Sequence, residues 1–426
     1  MAREARGERS WRPGGVLAPA ILSCSLLGAC GGSAPSAPTA PSPPGTVPEP
    51  ASLGFLHVLQ GSSVVTYAIN RFTGTLQQSA AQDLGDAHTL TGEPLGRYVF
   101  AAFGPRGGPP YWDPSIVAYA PDPLSGSLTA VSEASSDPIW CRGCSPMGRG
   151  GGWYWLSASA TRVYGMWGTT TYHDWYPAYV AHAVENEGQL GPAYVRDFGE
   201  WDHGQVTVDA ESNVLYKQGA SGLTAHFVEP DGSLTQAGAS NLCVATELWD
   251  AVPVVAVRGF VFAWTSTDLV HTTCSWEGPR LAPRENLGLY TQYAAALALG
   301  DGAPSLGLSS RPAALVAMRT SYSVKHGDHD QTKYEVRLFA MGADGALQPL
   351  DAGEPGYARQ LLFHPSGRFL YVAHAAGPSG STPSLTAYSI ERQGRLAVVG
   401  TVEGGGGAMA VTLPPQVRAS SGPATD

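Results

Sequence analysis

The stretch HPSGRFLYVAH at residues 364–374, followed by LTAYSIERQGRL at 385–396, decides the fold. Its first four residues are typical of a tight turn, and the run after them alternates aromatic, branched and small side chains as a strand does. The second piece is another strand-like run, and it ends in a turn of the form Gly-x-Leu. Together they predict antiparallel strands joined by short turns.

The Gly-x-Leu turn recurs along the chain. Its leucines stand at positions 76, 128, 190, 234, 347 and 396, with a weaker copy at 281. The copies lie about fifty residues apart, a period typical of propellers. Each unit holds four short strand-like runs, labelled A to D in chain order, and strand D begins at the leucine. The pattern predicts an all-β, seven-bladed β-propeller with four-stranded blades.

The two ends of the repeat region predict how the ring closes. LGFLHVLQ at 53–60 has the pattern of a B strand with no A strand before it, and GAMAVTLP at 407–414 that of an A strand with no B strand after it. We expect the C-terminal strand to complete the first blade, which leaves no free sheet edge. The propeller is therefore placed at residues 53–414, and a disordered tail at 415–426.

Composition agrees with a turn-rich all-β protein, because the chain has 53 Gly, 34 Pro and only 14% charged residues. The formal net charge of -10 argues against nucleic acid as a partner. HGDHD at 326–330 offers potential metal ligands, but a solvated loop is expected there. We expect a monomer without a metal or cofactor.

The N-terminal residues predict export and lipidation. Four arginines outweigh two glutamates, an apolar run covers residues 16–27, and the stretch closes on Leu27-Gly28-Ala29-Cys30. This is the order of a signal peptide, and the run is too short to span a bilayer. Leu-Gly-Ala-Cys resembles the bacterial lipobox, which implies a signal peptide at 1–29 and acylation of Cys30 with fatty acids such as palmitate.

The next segment predicts a tether. Residues 31–51 consist of Gly, Ser, Ala, Thr and Pro with little else, so they offer no apolar surface to bury. The lipidated cysteine and its tether therefore cover residues 30–52. We expect the protein in the bacterial cell envelope, anchored by lipid in the outer membrane and facing either the periplasm or the surface.

The pair of motifs at 364–374 and 385–396 resembles the lactonase family of seven-bladed propellers, the group of bacterial 6-phosphogluconolactonase. The resemblance covers residues 53–414. It implies a site at the mouth of the central channel, where His, Arg and acidic residues near the starts of A strands bind a sugar lactone. In this sequence the corresponding candidates for catalysis are Glu200, His203 and Arg359, with Gln360 where the family commonly has histidine.

The longer connections predict a functional face. Because strands alternate in direction, the B–C and D–A connections must emerge on the same face, and loops on a rigid scaffold commonly carry binding residues. Aromatic rings with a polar edge suit stacking on sugars or apolar ligands. The candidates for ligand binding are Tyr172, Trp175, Trp201 and Tyr357. Trp153 and Trp155 are better explained by packing between blades.

The cysteines suggest a local disulfide. Cys141-Arg-Gly-Cys144 has no second pair to complete a zinc site, and in an oxidising compartment a bridge between the two is expected. The sequence leaves open whether Cys243 and Cys274 pair.

Three functions fit this sequence. The leading interpretation is an exported, lipid-anchored propeller that binds a carbohydrate, small-molecule or envelope-protein ligand through its loop-rich face. The second is hydrolysis of a sugar lactone or related lactone, a carboxylic ester hydrolase activity. The third is a structural part of a cell-envelope complex.

Overall fold

The structure is a computed structural model. It describes residues 52–104, 115–135, 151–170, 175–197, 206–209, 211, 213–219, 222–236, 252–264, 269–275, 278–281, 290–300, 306–308, 310–326, 329–353, 356–376 and 382–414. The predicted signal peptide, Cys30, nearly all of the tether, the Cys141–Cys144 pair, Cys243 and the C-terminal tail lie outside the described residues.

The described chain is built almost entirely of strands. They are β1 Ser52–Gln60, β2 Ser63–Asn70, β3 Leu76–Asp83, β4 Ala87–Gly92, β5 Val99–Phe103, β6 Ser115–Pro121, β7 Leu128–Ser135, β8 Gly151–Ala158, β9 Arg162–Thr170, β10 Trp175–Val184, β11 Leu190–Asp197, β12 Val206–Asp209, β13 Val214–Gly219, β14 Gly222–Val228, β15 Leu234–Gln236, β16 Val252–Val257, β17 Phe260–Trp264, β18 Leu269–Ser275, β19 Gly278–Leu281, β20 Tyr290–Ala298, β21 Ala314–His326, β22 His329–Met341, β23 Leu347–Ala352, β24 Ala358–Phe363, β25 Phe369–His374, β26 Ser384–Ile390, β27 Leu396–Glu403 and β28 Met409–Thr412. Two short 3-10 turns, Asn186–Gly188 and Arg392–Gly394, interrupt them.

These strands form seven four-stranded antiparallel sheets. Six of the sheets contain four consecutive strands each, and the remaining one has the order β28-β1-β2-β3. In that sheet Met409 pairs with Val58 and Thr412 with Phe55, so strands from the two ends of the domain lie side by side. The predicted all-β propeller fold is confirmed. We number the sheets as blades from this one, in chain order.

The cores lie between the sheets. Each apolar cluster joins two successive sheets, so that the second blade packs on the first around Leu59 and Val99, and the seventh packs on the first around Tyr371 and Val58. The A strands of most successive blades also contact one another directly, which places them innermost. Trp153 belongs to the core between the second and third blades, where its Nε1 donates to the carbonyl of Phe103 at 2.7 Å. The packing interpretation of this tryptophan is therefore confirmed.

The Gly-x-Leu turn has a structural reason. In the six regular copies the glycine adopts a positive φ, a conformation that disfavours side chains, and in four of them it packs on an aromatic ring at or near the start of a B strand in the preceding blade. The described pairs of this kind are Gly74 on Phe369, Gly126 on Phe55, Gly188 on Tyr98 and Gly345 on Phe260. The leucine two residues later begins strand D in six blades, as the sequence predicted.

The fifth blade departs from the prediction. Its D strand, β19, ends at Leu281 instead of beginning there. β18 and β19 pair from Ser275↔Gly278 onward, so only two residues connect them. The shorter connection moves strand D upstream of the leucine, which is why this copy of the motif is weak.

The solvated loop expected at 326–330 is wrong in its extent, because His326 ends β21 and His329 and Asp330 begin β22. β21 and β22 continue as one regular hairpin, with pairs unbroken from Ala314↔Met341 to His326↔His329. Beyond Ser321, β21 pairs with β22 alone among the described residues, so this part of the hairpin extends past the rest of its sheet. Among the residues with described placement, no group of three His, Cys, Asp or Glu could hold a metal ion.

His57 ties the first blade together. It is fully buried, with Nδ1 at 3.0 Å from the hydroxyl of Thr66 on β2 and Nε2 at 2.9 Å from the hydroxyl of Thr412 on β28. One side chain thus links three strands of the sheet that contains both ends of the domain. Burial lowers the pKa of His57 to about 3, so the ring is neutral.

In the part of the chain that the structure covers, no helix is long and apolar enough to cross a membrane.

Candidate ligand site at the mouth of the central channel

The site lies where the A strands begin. These strands start on the face that carries the B–C and D–A connections, which we call the loop face; the A–B and C–D turns lie on the opposite turn face. In five of the described A strands the pairing register slips near this end. A β-bulge leaves residues out of the ladder and re-aims their side chains, and bulges are frequent beside active sites.

The bulges single out a set of residues around the channel mouth. The residues left out of the pairing are His88 on β4, Tyr154 on β8, Val254 on β16, Gln292 and Tyr293 on β20, and Arg359 on β24. Of these, His88, Tyr293 and Arg359 have exposed side chains in the structure. The mouth therefore presents an imidazole, a phenol and a guanidinium to solvent.

A second arginine lies buried beside them. Arg319, near the loop-face end of the β21 segment that pairs with β20, is only 1% exposed. Its guanidinium carbon lies 4.5 Å from the ring centre of Tyr293, 5.2 Å from that of Tyr334 and 4.8 Å from that of Tyr357. Aromatic faces attract a cation, and the attraction is stronger where water is excluded. The three tyrosines therefore form a cage that stabilises a buried positive charge.

Arg319 also holds the segment that carries Arg359. Its Nη1 donates to the carbonyl oxygen of Ala358 at 3.1 Å. Tyr357 contacts Tyr334 edge to face, at 4.9 Å between ring centres, and its carbonyl accepts a hydrogen bond from the amide of Ala375 at 3.0 Å. The backbone directly before the bulge is thus held in place, so the Cα from which the exposed Arg359 side chain projects has a defined position.

His374 packs behind this segment. It is buried at the end of β25, where it pairs with Ala358, and burial lowers its pKa below the ordinary histidine value. Gly356 lies so close that an added Cβ would be 2.5 Å from its Nδ1. A side chain at position 356 would have to displace the His374 ring, and the neutral ring packs against Gly356 without adding a charge to the mouth.

A depression opens on the same face between the first and second blades. Its volume is about 770 Å³, and Ser62, Asp86, His88 and Gly104 are among its lining residues. The His88 ring lies against Gly104, because an added Cβ there would be 2.7 Å from Nε2. This depression offers room for a small molecule beside an imidazole and a carboxylate.

The structure places two of the predicted site residues together. Tyr357 and Arg359 belong to one segment at the mouth, on either side of the carbonyl that Arg319 holds. Trp175 begins β10, paired with Thr170, and its side chain is not described. Four further candidates lie outside the described residues: Tyr172, Glu200, Trp201 and His203. Their roles remain predictions.

Sequence analysis missed Arg319, Tyr293 and His88. The one available signal was Arg319 itself, a charged residue directly after the apolar run ALVAM at 314–318. His88 and Tyr293 gave no signal, because a bulge depends on the register with the neighbouring strand.

Fold and site together define a class: an all-β propeller with a cationic, tyrosine-rich mouth. No protein-family model matches the chain, and no curated protein matches it. Solved structures do. Periplasmic gluconolactonase PpgL of Pseudomonas aeruginosa is similar with a TM-score of 0.52 at 15% identity, over 85% of this chain and 100% of that one. A proposed 6-phosphogluconolactonase of Bacteroides uniformis has a TM-score of 0.56 at 13% identity, over the same shares. At such identities the likeness shows the fold alone.

Proposed function

We propose that this protein is an exported, lipid-anchored seven-bladed propeller, closed by β28, that binds a small carboxylate-bearing ligand at the mouth of its channel. Arg359 is the principal binding residue, and Tyr293, Tyr357 and His88 provide the surrounding surface. The protein acts as a monomer in the bacterial cell envelope, attached to the outer membrane through Cys30.

The observation that carries this proposal is the supported position of Arg359. An exposed arginine on a free loop would lose considerable conformational entropy on binding, whereas a bulge fixed by Arg319 and Tyr357 limits that loss. Guanidinium groups bind carboxylates in a planar, two-point geometry. The chain has a formal net charge of -10, yet Arg319 and Arg359 make the channel mouth locally positive, which suits an anionic ligand.

The ligand class follows from what surrounds the arginine. Tyrosine rings offer both a flat apolar face and a hydroxyl, a combination that suits a sugar-derived acid. The two structural neighbours are named as a gluconolactonase and a proposed 6-phosphogluconolactonase, and the products of such reactions are sugar acids. An aldonate such as gluconate is therefore the first ligand to test.

The envelope location rests on the N-terminal sequence. Charge, apolar run and cysteine follow one another as in a lipoprotein signal, and one neighbour is named as periplasmic. Binding in that compartment would make the protein a receptor or carrier for a small acid that enters the envelope.

The fold likeness favours lactone hydrolysis as a second function. In that case Arg359 would hold the substrate, while His203 or Glu200 would activate the water that attacks the lactone carbonyl. His88 is the exposed imidazole that the described mouth supplies as a further base. A structural role in an envelope complex is the third function and needs neither ligand nor base.

Titration calorimetry distinguishes these functions. We expect gluconate to bind the purified protein and glucose, which lacks the carboxylate, not to bind. Arg359→Ala should abolish the heat of binding, while Arg392→Ala, an exposed arginine of the same blade on the turn face, should leave it unchanged. Equal affinity for gluconate and glucose would contradict the proposal.

Acid release from gluconolactone tests the second function. Turnover above the spontaneous rate, lost in His203→Ala, would assign catalysis. Neither heat nor turnover with a wider panel of sugar acids and lactones would leave the structural role as the remaining interpretation.

A further inference from the structure

Two large apolar side chains stand exposed on the turn face. Phe72 is 75% exposed and Leu124 is 90% exposed, and both lie in C–D turns, of the first and second blades. In the other described turns of this kind, the two exposed residues before the glycine include no large apolar side chain: Asn186 and Glu187, Pro230 and Asp231, Ala343 and Asp344, and Arg392 and Gln393. Single apolar residues on a surface need no explanation. Two at matching positions of adjacent blades call for one.

The turns hold these side chains outward. Asn70 accepts hydrogen bonds through Oδ1 from the amides of Phe72 at 2.9 Å and Thr73 at 3.0 Å. Asp122 does the same for Leu124 at 3.1 Å and Ser125 at 2.7 Å. These hydrogen bonds give the two turns the same backbone support, and in both turns the large apolar side chain stands exposed.

Positive charge accompanies the apolar pair. The guanidinium carbon of Arg71 lies 5.2 Å from the ring centre of Phe72. Exposed Arg368 lies 5.8 Å from the ring of Phe369, which packs on Gly74 in the same turn as Phe72. The C–D turns of the third and fourth blades carry Glu185, Glu187, Glu229 and Asp231 instead. The first-blade sector is therefore the part of the turn face suited to an anionic surface.

The chain enters the propeller at the same place. β1 is the B strand of the first blade, so Ser52 lies at the turn face and Gln60 at the loop face. Ser52 pairs with Asn70, which begins the turn that carries Phe72. The predicted tether of residues 30–52 therefore leads into the propeller at the turn face, beside this turn.

We propose that the turn face of the first two blades docks on an anionic bilayer surface. Phe72 and Leu124 enter the headgroup region, while Arg71 and Arg368 lie against lipid phosphates, the combination that binds peripheral proteins to membranes. The ligand site at the channel mouth then faces away from the membrane. This inference rests on the lipid anchor of the proposed function.

Hydrogen exchange on reconstituted protein tests the docking. Acylated protein is placed on vesicles of phosphatidylethanolamine with phosphatidylglycerol, and on vesicles of neutral phosphatidylcholine. We expect amides of 70–74 and 122–126 to exchange several-fold more slowly on the anionic vesicles, and those of 61–62 on the loop face to be unaffected. Phe72→Ser with Leu124→Ser should remove the protection, while Val398→Ser, which is 44% exposed on β27, should retain it.

The outcomes separate the anchor from the docking surface. Equal exchange of both turns on the two kinds of vesicle, in a protein whose Cys30 carries acyl chains by mass spectrometry, overturns the docking surface alone. Slower exchange of the loop-face amides of 61–62 in place of the two turns would also overturn the docking surface alone. A Cys30 without acyl chains overturns the anchor, and the docking orientation with it.

Discussion

The ring of Phe369 lies directly against Gly74, so that an added Cβ on Gly74 would be 2.2 Å from the ring's Cε1. Phe369 begins the B strand of the seventh blade, and Gly74 belongs to a turn of the first. Since the same contact recurs between other successive blades, it is a repeated means of fixing the distance from each blade to the next.

Gly74→Ala should therefore destabilise the protein. The substitution adds both an unfavourable positive φ, worth about 1 kcal/mol, and an overpacked contact, worth about 1–3 kcal/mol. Gly61→Ala is the matched control, because Gly61 also has a positive φ but nothing within 4 Å of an added Cβ. We expect Gly74→Ala to lower the thermal unfolding midpoint clearly more than Gly61→Ala. Equal effects would mean that the contact adds no stability.

Stability should depend on pH through His57. The pKa of His57 falls from 6.5 in the unfolded chain to about 3 in the fold because burial disfavours the charged ring. Below pH 6.5 the imidazole of His57 binds a proton in the unfolded chain but not in the folded protein. The contribution of His57 to the free energy of unfolding is therefore complete above pH 6.5 and is lost as pH falls toward about 3. The loss is up to about 1 kcal/mol per pH unit.

His57→Gln should flatten that dependence. The difference in unfolding midpoint between pH 7.5 and pH 5 is compared for the wild type, His57→Gln and His88→Gln, which changes an exposed histidine. We expect a smaller difference only in His57→Gln, although His364, with a pKa also lowered to about 3, retains its own share. An unchanged pH difference in His57→Gln would show that this ring does not stay neutral in the fold.

Arg319 and Arg359 should separate stability from binding. Arg319→Met removes the donor to the buried carbonyl of Ala358 and the cation from its tyrosine cage, which should cost about 1–3 kcal/mol of stability and weaken ligand binding. Arg359→Ala removes an exposed side chain and should abolish gluconate binding without changing the unfolding midpoint. The two variants are measured by calorimetry and thermal unfolding. A stability loss in Arg359→Ala, or normal binding in Arg319→Met, would contradict the assigned positioning role.

Trp153 should matter for packing alone. Trp153→Phe loses the hydrogen bond to Phe103 and part of the contact with Gly165, where an added Cβ would be 2.2 Å from the ring. We expect a loss of about 1–3 kcal/mol in stability with unchanged ligand affinity. Phe72→Ser, at an exposed aromatic residue, serves as the control and should leave the unfolding midpoint unchanged. Weaker binding at an unchanged midpoint would place Trp153 in the ligand site instead.

Local turn chemistry made the strands predictable. A glycine with positive φ, the leucine that follows, and the alternation of apolar residues are all properties of neighbouring residues, and they located six of the D strands correctly. The start of β19 and the outer part of the β21–β22 hairpin were missed, because β19 begins ahead of its leucine and residues 325–333 include no large apolar side chain.

The candidate site was predictable only in part. The sequence drew attention to Tyr357 and Arg359 because both lie at the start of an A strand, where the family resemblance implies a site. The cage around Arg319 joins Tyr293, Tyr334 and Tyr357, which come from three separate segments in two blades. No spacing in the chain relates these positions to one another.

The sequence by itself thus determined the all-β repeat, the order of its strands and the polarity of its turns, because these depend on interactions among residues close in the chain. The tertiary structure decided which residues the bulges release at the channel mouth, how Arg319 supports Arg359, and which turns expose Phe72 and Leu124 beside the chain's entry. Those features depend on strand register and on contacts between blades, which form only when segments distant in sequence meet.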